Sequence, residues 1–420
     1  MHSVTMGHAA KMTFTLKRPG RRTAGDAGVL ATVTALAFLA FPGVKQSEAQ
    51  SLADRLKGVQ TGHESAPAVA LPVWKPVSAA TSSMAIPLVK GLIVSGAQAG
   101  DQGDQEQIRN IAEADGKSVT LKIEWDTPSA TPGQPPKRQS TIRVVDAADL
   151  AAAHRLMSYF VIGANEHYPG ATGYGASAEV LNQLRAGQSS EFDFEANPSP
   201  LAALMGDKSK MVTWNGHLMH KCSLHRVGTT DVSVPMLVNS AKVELPVLHA
   251  ACTPGEGGQA DFYFLDQPAN PMVIASQYDD GKNQMIKIDF PENVPAAGSS
   301  MEQALAQKKA VQIYGIYFDF NSATIKPDSE AVLKQISDIM HKNPDWKLSV
   351  AGHTDNIGDA AANQSLSQRR SAAVKDALVS RYGIAADRLT TTGFGASKPI
   401  ETNSTLEGRA RNRRVELQRE

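Results

Sequence analysis

The sequence predicts an α+β protein in which a β-rich domain precedes a smaller α/β domain. From about residue 105 to residue 290, short apolar or alternating runs are bounded by turn residues, which is typical of antiparallel strands. After residue 310 the hydrophobic pattern alternates between the period of a strand and that of a helix. This alternation favours a compact sandwich with helices on one face of a sheet. The chain of 420 residues is also too long for one ordinary domain.

Composition and charge exclude several classes of protein. The 42 Lys and Arg residues balance 42 Asp and Glu residues, so the chain has no bulk attraction for nucleic acid or anionic lipid. Hydrophobic residues make up 42% and charged residues 20%, with a mean hydropathy of −0.25, as in soluble folded domains rather than disordered or polytopic chains. Only 2 Cys argue against a disulfide-dense scaffold or a multi-zinc array.

Residues 1–49 are predicted to be a secretory signal peptide. Basic residues precede an apolar run at residues 29–41, and the small-residue stretch that follows places the cleavage after Ala49. The apolar run is shorter than the roughly 20 residues that span a bilayer, and no Cys follows it for lipid attachment. Whether translation starts at Met1 or Met12 stays open, because both starts keep these regions.

The next two segments are predicted to be a flexible arm at residues 50–95, rich in Ala, Ser, Gly and Pro, and a β-rich domain at residues 96–290. Asn215-Gly216 lies between two of its strand patterns and predicts a tight hairpin. Two helical patterns interrupt the strands, at residues 147–161 and 176–185. The strand patterns occupy residues 119–125, 212–214, 232–238, 262–265 and 285–290.

A linker with a short helix is expected at residues 291–310, followed by the last domain at residues 311–420. In that domain strands are predicted at residues 311–318 and 347–351 and near residues 389 and 415, with helices at residues 329–341 and 361–382.

One loop of the last domain carries the most informative chemistry. Gly352 and Gly358 bracket a tight loop that presents Asp355 at the end of a predicted strand, and Arg370 follows inside the next helix. The apolar face of that helix allows its first turns to lie against the sheet beside the loop. A carboxylate and a guanidinium in one cleft are suited to a ligand that bears both an ammonium and a carboxylate.

Several motifs occur in order across this domain. They are Phe318-Asp-Phe-Asn321, Gly352-His-Thr-Asp-Asn-Ile-Gly358, Asn363-Gln-Ser-Leu-Ser-Gln-Arg-Arg370, Gly393-Phe-Gly395 and Gly408-Arg-Ala-Arg-Asn-Arg-Arg-Val415. Together they closely resemble the OmpA-like, peptidoglycan-binding C-terminal domain of Gram-negative envelope proteins. The resemblance covers residues 311–420 and implies a βαβαβ core with helices packed on a mixed sheet.

The resemblance also implies a ligand and its contacts. The family ligand is the diaminopimelate of the peptidoglycan stem peptide, so Asp355 would pair with its ammonium and Arg370 with its carboxylate. Ser371 departs from the family, which usually has Ala after this arginine, and this puts the helix packing in question. The residues expected to complete the pocket are Asn321, Thr354, Asn363, Leu366 and Arg413.

The residues of this domain admit other interpretations. Asp355 and Arg370 would, in the simplest alternative, only bridge each other on the surface. His353 beside Asp355 suggests a catalytic dyad, but no nucleophile elbow accompanies it, so we predict no catalytic residue and no cofactor. The arginine-rich segment 409–414 is diluted by Glu407 and Glu416, which argues against nucleic acid as a partner.

The middle domain contains two cysteines among several histidines. A Cys222–Cys252 disulfide is favoured, because an exported protein meets an oxidising compartment and the number of cysteines is even. A metal site that includes His217, His220 and His225 is the alternative, but a single strand would point these side chains to opposite faces, so no metal is predicted. Two buried free thiols are the third possibility.

The sequence therefore predicts an exported envelope protein, located in the periplasm, that binds peptidoglycan non-covalently and has no catalytic activity. The alternative is an envelope enzyme or ligand carrier whose middle domain is active and whose last domain is only the wall anchor. The partner of the middle domain, the oligomeric state and a peripheral association with the outer membrane stay open.

Overall fold

A computed structural model describes residues 71–98, 104–127, 137–195, 211–239, 241–253, 259–278, 281–290, 297–319 and 321–420. The predicted signal peptide with its cleavage site, the first part of the predicted arm and residues 291–296 of the linker lie outside the described residues. No helix in these ranges is long and apolar enough to cross a membrane.

The middle domain consists mainly of strands. They are β1 (Lys75–Pro76), β2 (Ile93–Gln98), β3 (Gln105–Ala114), β4 (Ser118–Thr127), β5 (Lys137–Asp146), β6 (Arg155–Leu156), β7 (Asn165–His167), β8 (Ser190–Glu191), β9 (Asp193–Glu195), β10 (Met211–Trp214), β11 (His217–His220), β12 (Ser223–Arg226), β13 (Val232–Val238), β14 (Ala241–Cys252), β15 (Ala260–Leu265), β16 (Val273–Tyr278) and β17 (Gly281–Asp289). Among its described residues, the helices are α1 (Ala147–Ala152) and α2 (Ala178–Arg185).

The long sheet of this domain runs in the order β1-β13-β14-β15-β16-β17-β2-β3-β4-β5-β7, mostly antiparallel. Strand β13 also pairs in parallel with β17, so strands β13 to β17 form a closed ring. The alternation along β4 buries Val119, Leu121 and Ile123 in the main core. The predicted hairpin turn joins β10 to β11, where Asn215 and Gly216 both have positive φ, as a two-residue turn of this kind requires.

The flexible arm predicted for residues 50–95 is wrong for residues 71–95. Strand β1 pairs with β13, and Ile86 and Leu92 are only 2% and 1% exposed in the main core. The backbone amide of Ile86 donates to the side-chain carbonyl of Gln267, which fixes this segment across the domain. The prediction rested on the Ala, Ser, Gly and Pro content of the segment, which gives no sign of these few buried residues.

The helix predicted at residues 147–161 is shorter than expected, since α1 ends at Ala152. Beyond it, β6 pairs with β9, and the buried guanidinium of Arg143 donates to the carbonyl oxygens of Met157 and Tyr159. Those carbonyls are therefore satisfied by a side chain instead of by helical hydrogen bonds.

The C-terminal domain contains α3 (Ala297–Ala306), β18 (Val311–Ile313), α4 (Glu330–Lys342), β19 (Leu348–Gly352), α5 (Ala360–Tyr382), β20 (Leu389–Gly393), α6 (Leu406–Asn412) and β21 (Val415–Arg419). The sheet order is β18-β21-β19-β20, with β19 and β20 parallel and the other pairs antiparallel. It is therefore a mixed sheet, and α4 and α5 share its hydrophobic core.

The strand predicted at residues 311–318 ends early, at Ile313. Around Tyr317 the backbone instead bonds within its own loop, because the Tyr317 amide donates to Ser329 Oγ and its carbonyl accepts from the Lys326 amide.

The structure joins Cys222 and Cys252 by a disulfide, with 6.0 Å between the Cα atoms. The neighbouring histidines have other partners: His217 contacts Glu195 at 2.7 Å and His249 contacts Asp261 at 2.7 Å. Within the described ranges, no group of three or more His, Cys, Asp and Glu residues is arranged to hold a metal ion.

Candidate functional site: a carboxylate and arginine cluster beside helix α5

The loop after β19 holds Asp355 in a defined position. Its Oδ1 accepts a hydrogen bond from the Ile357 amide at 3.0 Å, and the side chain of Asn363 donates to the Ile357 carbonyl at 2.9 Å. Thr354 donates from its amide to the Gly395 carbonyl at 3.0 Å and from Oγ1 to the Asp355 carbonyl at 2.9 Å. Thr354 and Asn363 therefore act mainly by shaping the loop that carries Asp355.

Two glycines allow helix α5 to lie directly on the strands beside this loop. A Cβ atom on Gly352 would lie 2.1 Å from the Ser367 carbonyl oxygen, and one on Gly393 would lie 2.4 Å from the Gln368 amide nitrogen. Only glycine permits such a close approach of two backbones. Ser371 also fits this packing, because it is fully buried and its Oγ donates to the Gln368 carbonyl at 2.9 Å.

Arg370 projects from α5 toward the loop that follows Phe318. Its Nε donates to the Ser322 carbonyl at 2.9 Å, and its guanidinium lies 4.8 Å from the centre of the Phe318 ring. Asn321 adopts a positive φ of 49° in that loop, immediately before the carbonyl that Arg370 contacts. Burial lowers the pKa of Arg370 to about 10, and the nearby Glu106 carboxylate opposes that shift.

Arg413 joins Asp355 to the middle domain. Its Nη1 lies 2.5 Å from Asp355 Oδ2 and 3.0 Å from Asp104 Oδ2, and its Nε lies 2.8 Å from Glu106 Oε1. Burial disfavours the charged guanidinium and so lowers the pKa of Arg413. The negative charges of Glu106, Asp355 and Asp104 have a larger effect in the opposite direction, so the pKa of Arg413 is raised.

The structure thus gathers the residues that the sequence suggested. Leu366 is 8% exposed and lies one turn before Arg370 on the same helix. In the part of the chain that the structure describes, no ion pair joins Asp355 to Arg370, so the alternative of a simple surface bridge between them is not what is seen. The carboxylate and the guanidinium remain two separate groups of opposite charge.

Four contributors were missed from the sequence: Asp104, Glu106, Ser322 and the ring of Phe318. The first two belong to the other domain and lie 309 and 307 positions from Arg413. No local motif marks them. Ser322 acts through its backbone carbonyl, which any residue would supply, although Phe318 stood within a motif.

His353 does not form a catalytic dyad. It is 2% exposed and stacks on Phe394 with 5.3 Å between ring centres. Neither ring nitrogen has a hydrogen-bond partner among the described residues. Burial and the nearby Arg414 lower the pKa of His353 to about 4, so the ring is neutral near neutral pH.

In the described part of the middle domain, a Ser, a His and a carboxylate group together at the edge of an open hollow of about 430 Å³ that Glu179 helps to line. His154 Nδ1 lies 3.4 Å from Ser190 Oγ, and Nε2 lies 3.6 Å from Glu179. However, Nδ1 is 2.8 Å from the Glu191 carbonyl, so this nitrogen is a donor and does not accept the serine proton. Ser190 is also only 2% exposed. This grouping is structural.

Comparisons with known proteins concern the C-terminal part of the chain. Outer membrane porin F of Pseudomonas aeruginosa is 42% identical over 130 residues, which are 31% of this chain and 37% of that protein. Outer membrane protein A of Bordetella avium is 41% identical over 128 residues, 30% of this chain and 66% of that one. The peptidoglycan-binding protein ArfA of Mycobacterium tuberculosis is 37% identical over 129 residues, 30% and 38% of the two chains. The match thus spans about a third to two thirds of these relatives.

Among solved structures, the peptidoglycan-associated lipoprotein of Burkholderia pseudomallei is 30% identical, with 25% of this chain and 88% of that chain covered and a TM-score of 0.24. The family model described as OmpA family matches residues 317–413. That range contains Phe318, Asp355, Arg370 and Arg413, together with strands β19 and β20 and helices α4, α5 and α6. Residues 317–413 of this chain are therefore an OmpA family domain.

Proposed function

We propose that this protein is an exported component of the bacterial cell envelope that binds peptidoglycan non-covalently through its C-terminal domain. The observation that carries the proposal is the placement of Asp355 and Arg370 on a rigid loop and a helix packed directly against it. One relative, ArfA of Mycobacterium tuberculosis, is a peptidoglycan-binding protein, which supports the same role for the shared domain.

The finer proposal is that the ligand is the diaminopimelate of the stem peptide. Its side-chain end bears an ammonium and a carboxylate, which are the two charges that complement Asp355 and Arg370. Arg370 is well suited to the carboxylate, because Ser322 and Phe318 hold its guanidinium through Nε and the ring face. Asn321, Thr354, Asn363 and Leu366 shape the pocket without contributing charge.

The proposal places the protein in the periplasm, attached to the wall. Export rests on the predicted signal peptide at residues 1–49. Intact-mass measurement of the protein from a periplasmic extract should show a chain that begins at Gln50, and a chain that retains residues 29–41 would contradict export with cleavage.

Co-sedimentation with isolated peptidoglycan sacculi tests the binding site. Asp355→Asn and Arg370→Ala each remove one charged hydrogen bond, worth about 1.5 to 3 kcal/mol, and should weaken retention at least about tenfold. Asp376→Asn and Arg369→Ala are matched controls, since both residues are exposed on α5. Circular dichroism should show that every variant is folded. Retention of the folded Asp355 and Arg370 variants at the wild-type level would exclude this pocket.

A further inference from the structure

The C-terminal site is in contact with two carboxylates of the middle domain. Asp104 immediately precedes β3, and Glu106 is the second residue of that strand. Arg409 of α6 donates from Nε to Asp104 at 2.9 Å, and both side chains are at most 2% exposed. Arg413 contacts both acidic residues. The two domains therefore meet at the arginines that surround Asp355.

The pairing of β3 with β2 places the Glu106 side chain on the face of the sheet that meets the C-terminal domain. Glu106 lies directly opposite Ala97 of β2, so the two side chains share one face of the sheet. Ala97 belongs to a small apolar cluster with Ile286 and Leu406, the first residue of α6. The same face that packs on α6 thus carries the Glu106 carboxylate to Arg413.

The charges of the cluster cancel only when the middle domain is included. On the C-terminal side, three guanidiniums, those of Arg370, Arg409 and Arg413, face one carboxylate, that of Asp355. Asp104 and Glu106 supply the two missing negative charges. An approaching ligand carboxylate therefore meets guanidiniums that a protein carboxylate already neutralises.

The two middle-domain carboxylates differ in accessibility. Asp104 is buried with Arg409 and acts as a fixed anchor, whereas the Glu106 side chain is 45% exposed at the rim. The negative charge of Glu106 also acts on Arg370. Glu106 can leave Arg413 by side-chain rotation, without separation of the domains, because Asp104 keeps Arg409 and Arg413 in place.

We propose that Glu106 is an intramolecular competitor for the carboxylate of the wall ligand. In the free protein it pairs with the guanidinium of Arg413, which also contacts Asp355, and it swings away when the ligand binds. This inference rests on the proposed function. Through Glu106, the middle domain sets the affinity of the wall-binding domain to which it is joined.

Glu106→Gln in the full chain tests the proposal, with sacculi as the probe. The substitution keeps the side-chain volume and removes the competing charge, so we expect retention about threefold tighter or more. Glu113→Gln is the matched control: it removes the same charge from the exposed far end of β3, where Glu113 contacts Lys90. The control should bind like wild type, which separates local competition from a general change in net charge.

The double variant Glu106→Gln with Arg370→Ala should not bind sacculi more tightly than Arg370→Ala alone, because the effect of Glu106→Gln on affinity requires Arg370. If wild type binds in an Arg370-dependent way but Glu106→Gln binds equally or more weakly, the competitor role is wrong and the binding function stands. An equal gain in Glu113→Gln would also overturn the role. If neither wild type nor Glu106→Gln binds sacculi, the proposed function fails and the inference falls with it.

Discussion

At the residue scale, Asp355 is held by two groups that act on different oxygens. The Ile357 amide contacts Oδ1 and the Arg413 guanidinium contacts Oδ2. A carboxylate fixed in this way loses little freedom when it binds a ligand ammonium. Arg370 has the same property, because Ser322 and Phe318 position its guanidinium.

His353 gives a prediction for pH dependence. Its pKa is lowered to about 4 by burial and Arg414, while the unfolded chain has the ordinary value near 6.5. The unfolded state therefore binds the proton more readily. The contribution of the neutral ring to the free energy of unfolding is fully present above about pH 6.5 and is lost as the pH falls toward about 4. The free energy of unfolding measured in urea should fall by about 2 kcal/mol through this group between about pH 7.5 and about pH 5.

The variant His353→Gln isolates this effect, because glutamine does not titrate. Its free energy of unfolding should fall less than that of wild type over the same pH range. An identical pH dependence in the two proteins would show that His353 is not buried as a neutral ring.

Single residues also show where prediction from the sequence stops. Asp355 and Arg370 were predictable because their signals are local. Gly352 and Gly358 bracket the loop that carries Asp355, and the helix that carries Arg370 follows closely and has an apolar face. The contacts of Arg413 with Asp104 and Glu106 were not, because they depend on how two domains pack. An acidic residue in a turn-rich segment has no local signature that distinguishes it from a solvated surface charge.

At the element scale, the site depends on the close packing of α5 against β19 and β20. Gly352→Ala would push a methyl group into the Ser367 carbonyl, which belongs to the helix backbone. We expect a loss of at least about 1 to 3 kcal/mol in thermal or urea unfolding and weaker wall binding, because the Asp355 loop and Arg370 would separate. Thr392→Ala, at an exposed position of β20, is the control. Wild-type stability of Gly352→Ala would contradict the close contact.

The disulfide supplies a second prediction at this scale. Cys222 and Cys252 are 30 positions apart, and the chain-entropy model assigns about 3 to 4 kcal/mol to such a loop. The double variant with Ala at both positions should unfold at a correspondingly lower urea concentration. Thiol labelling of the denatured, unreduced wild type should find no free thiol, and two labelled cysteines would refute the bridge.

Element boundaries were harder to predict than element types. Helix α1 stops at Ala152, and beyond it Arg143 of β5 binds the carbonyls of Met157 and Tyr159 that a longer helix would use. The strand expected at residues 311–318 likewise stops at Ile313, and Ser329 and Lys326 bond to Tyr317. In both cases hydrogen bonds to residues outside the predicted element take the place of the regular structure that the hydrophobic pattern suggested.

At the scale of the whole molecule, several ion pairs join the described parts of the two domains. Lys326 contacts Asp126 at 2.6 Å, with both side chains less than 10% exposed, and Arg138 contacts Asp328 at 3.2 Å. The Lys287 ammonium lies 3.1 Å from the Tyr317 hydroxyl across the same junction. These contacts lie at the junction in addition to the pairs of Arg409 with Asp104 and of Arg413 with Glu106.

Lys326→Met tests the energetic role of this junction. Removal of the ammonium from a buried pair should cost about 3 to 5 kcal/mol in unfolding free energy, because the Asp126 carboxylate loses the charge that neutralises it. Lys334→Met is the matched control, since Lys334 pairs with Asp338 on the exposed face of α4 and should change stability by about 0 to 1 kcal/mol. Equal effects of the two variants would show that the junction is not closed in solution.

The most direct test of the account is the affinity of the full chain for two soluble stem peptides, one with diaminopimelate and one with lysine. Lysine lacks the second carboxylate, so titration calorimetry should show at least about tenfold weaker binding, the equivalent of one lost charged hydrogen bond to Arg370. In Arg370→Ala the difference between the two peptides should disappear. Equal binding of both peptides by the wild-type protein would contradict the assignment of Arg370 to the ligand carboxylate.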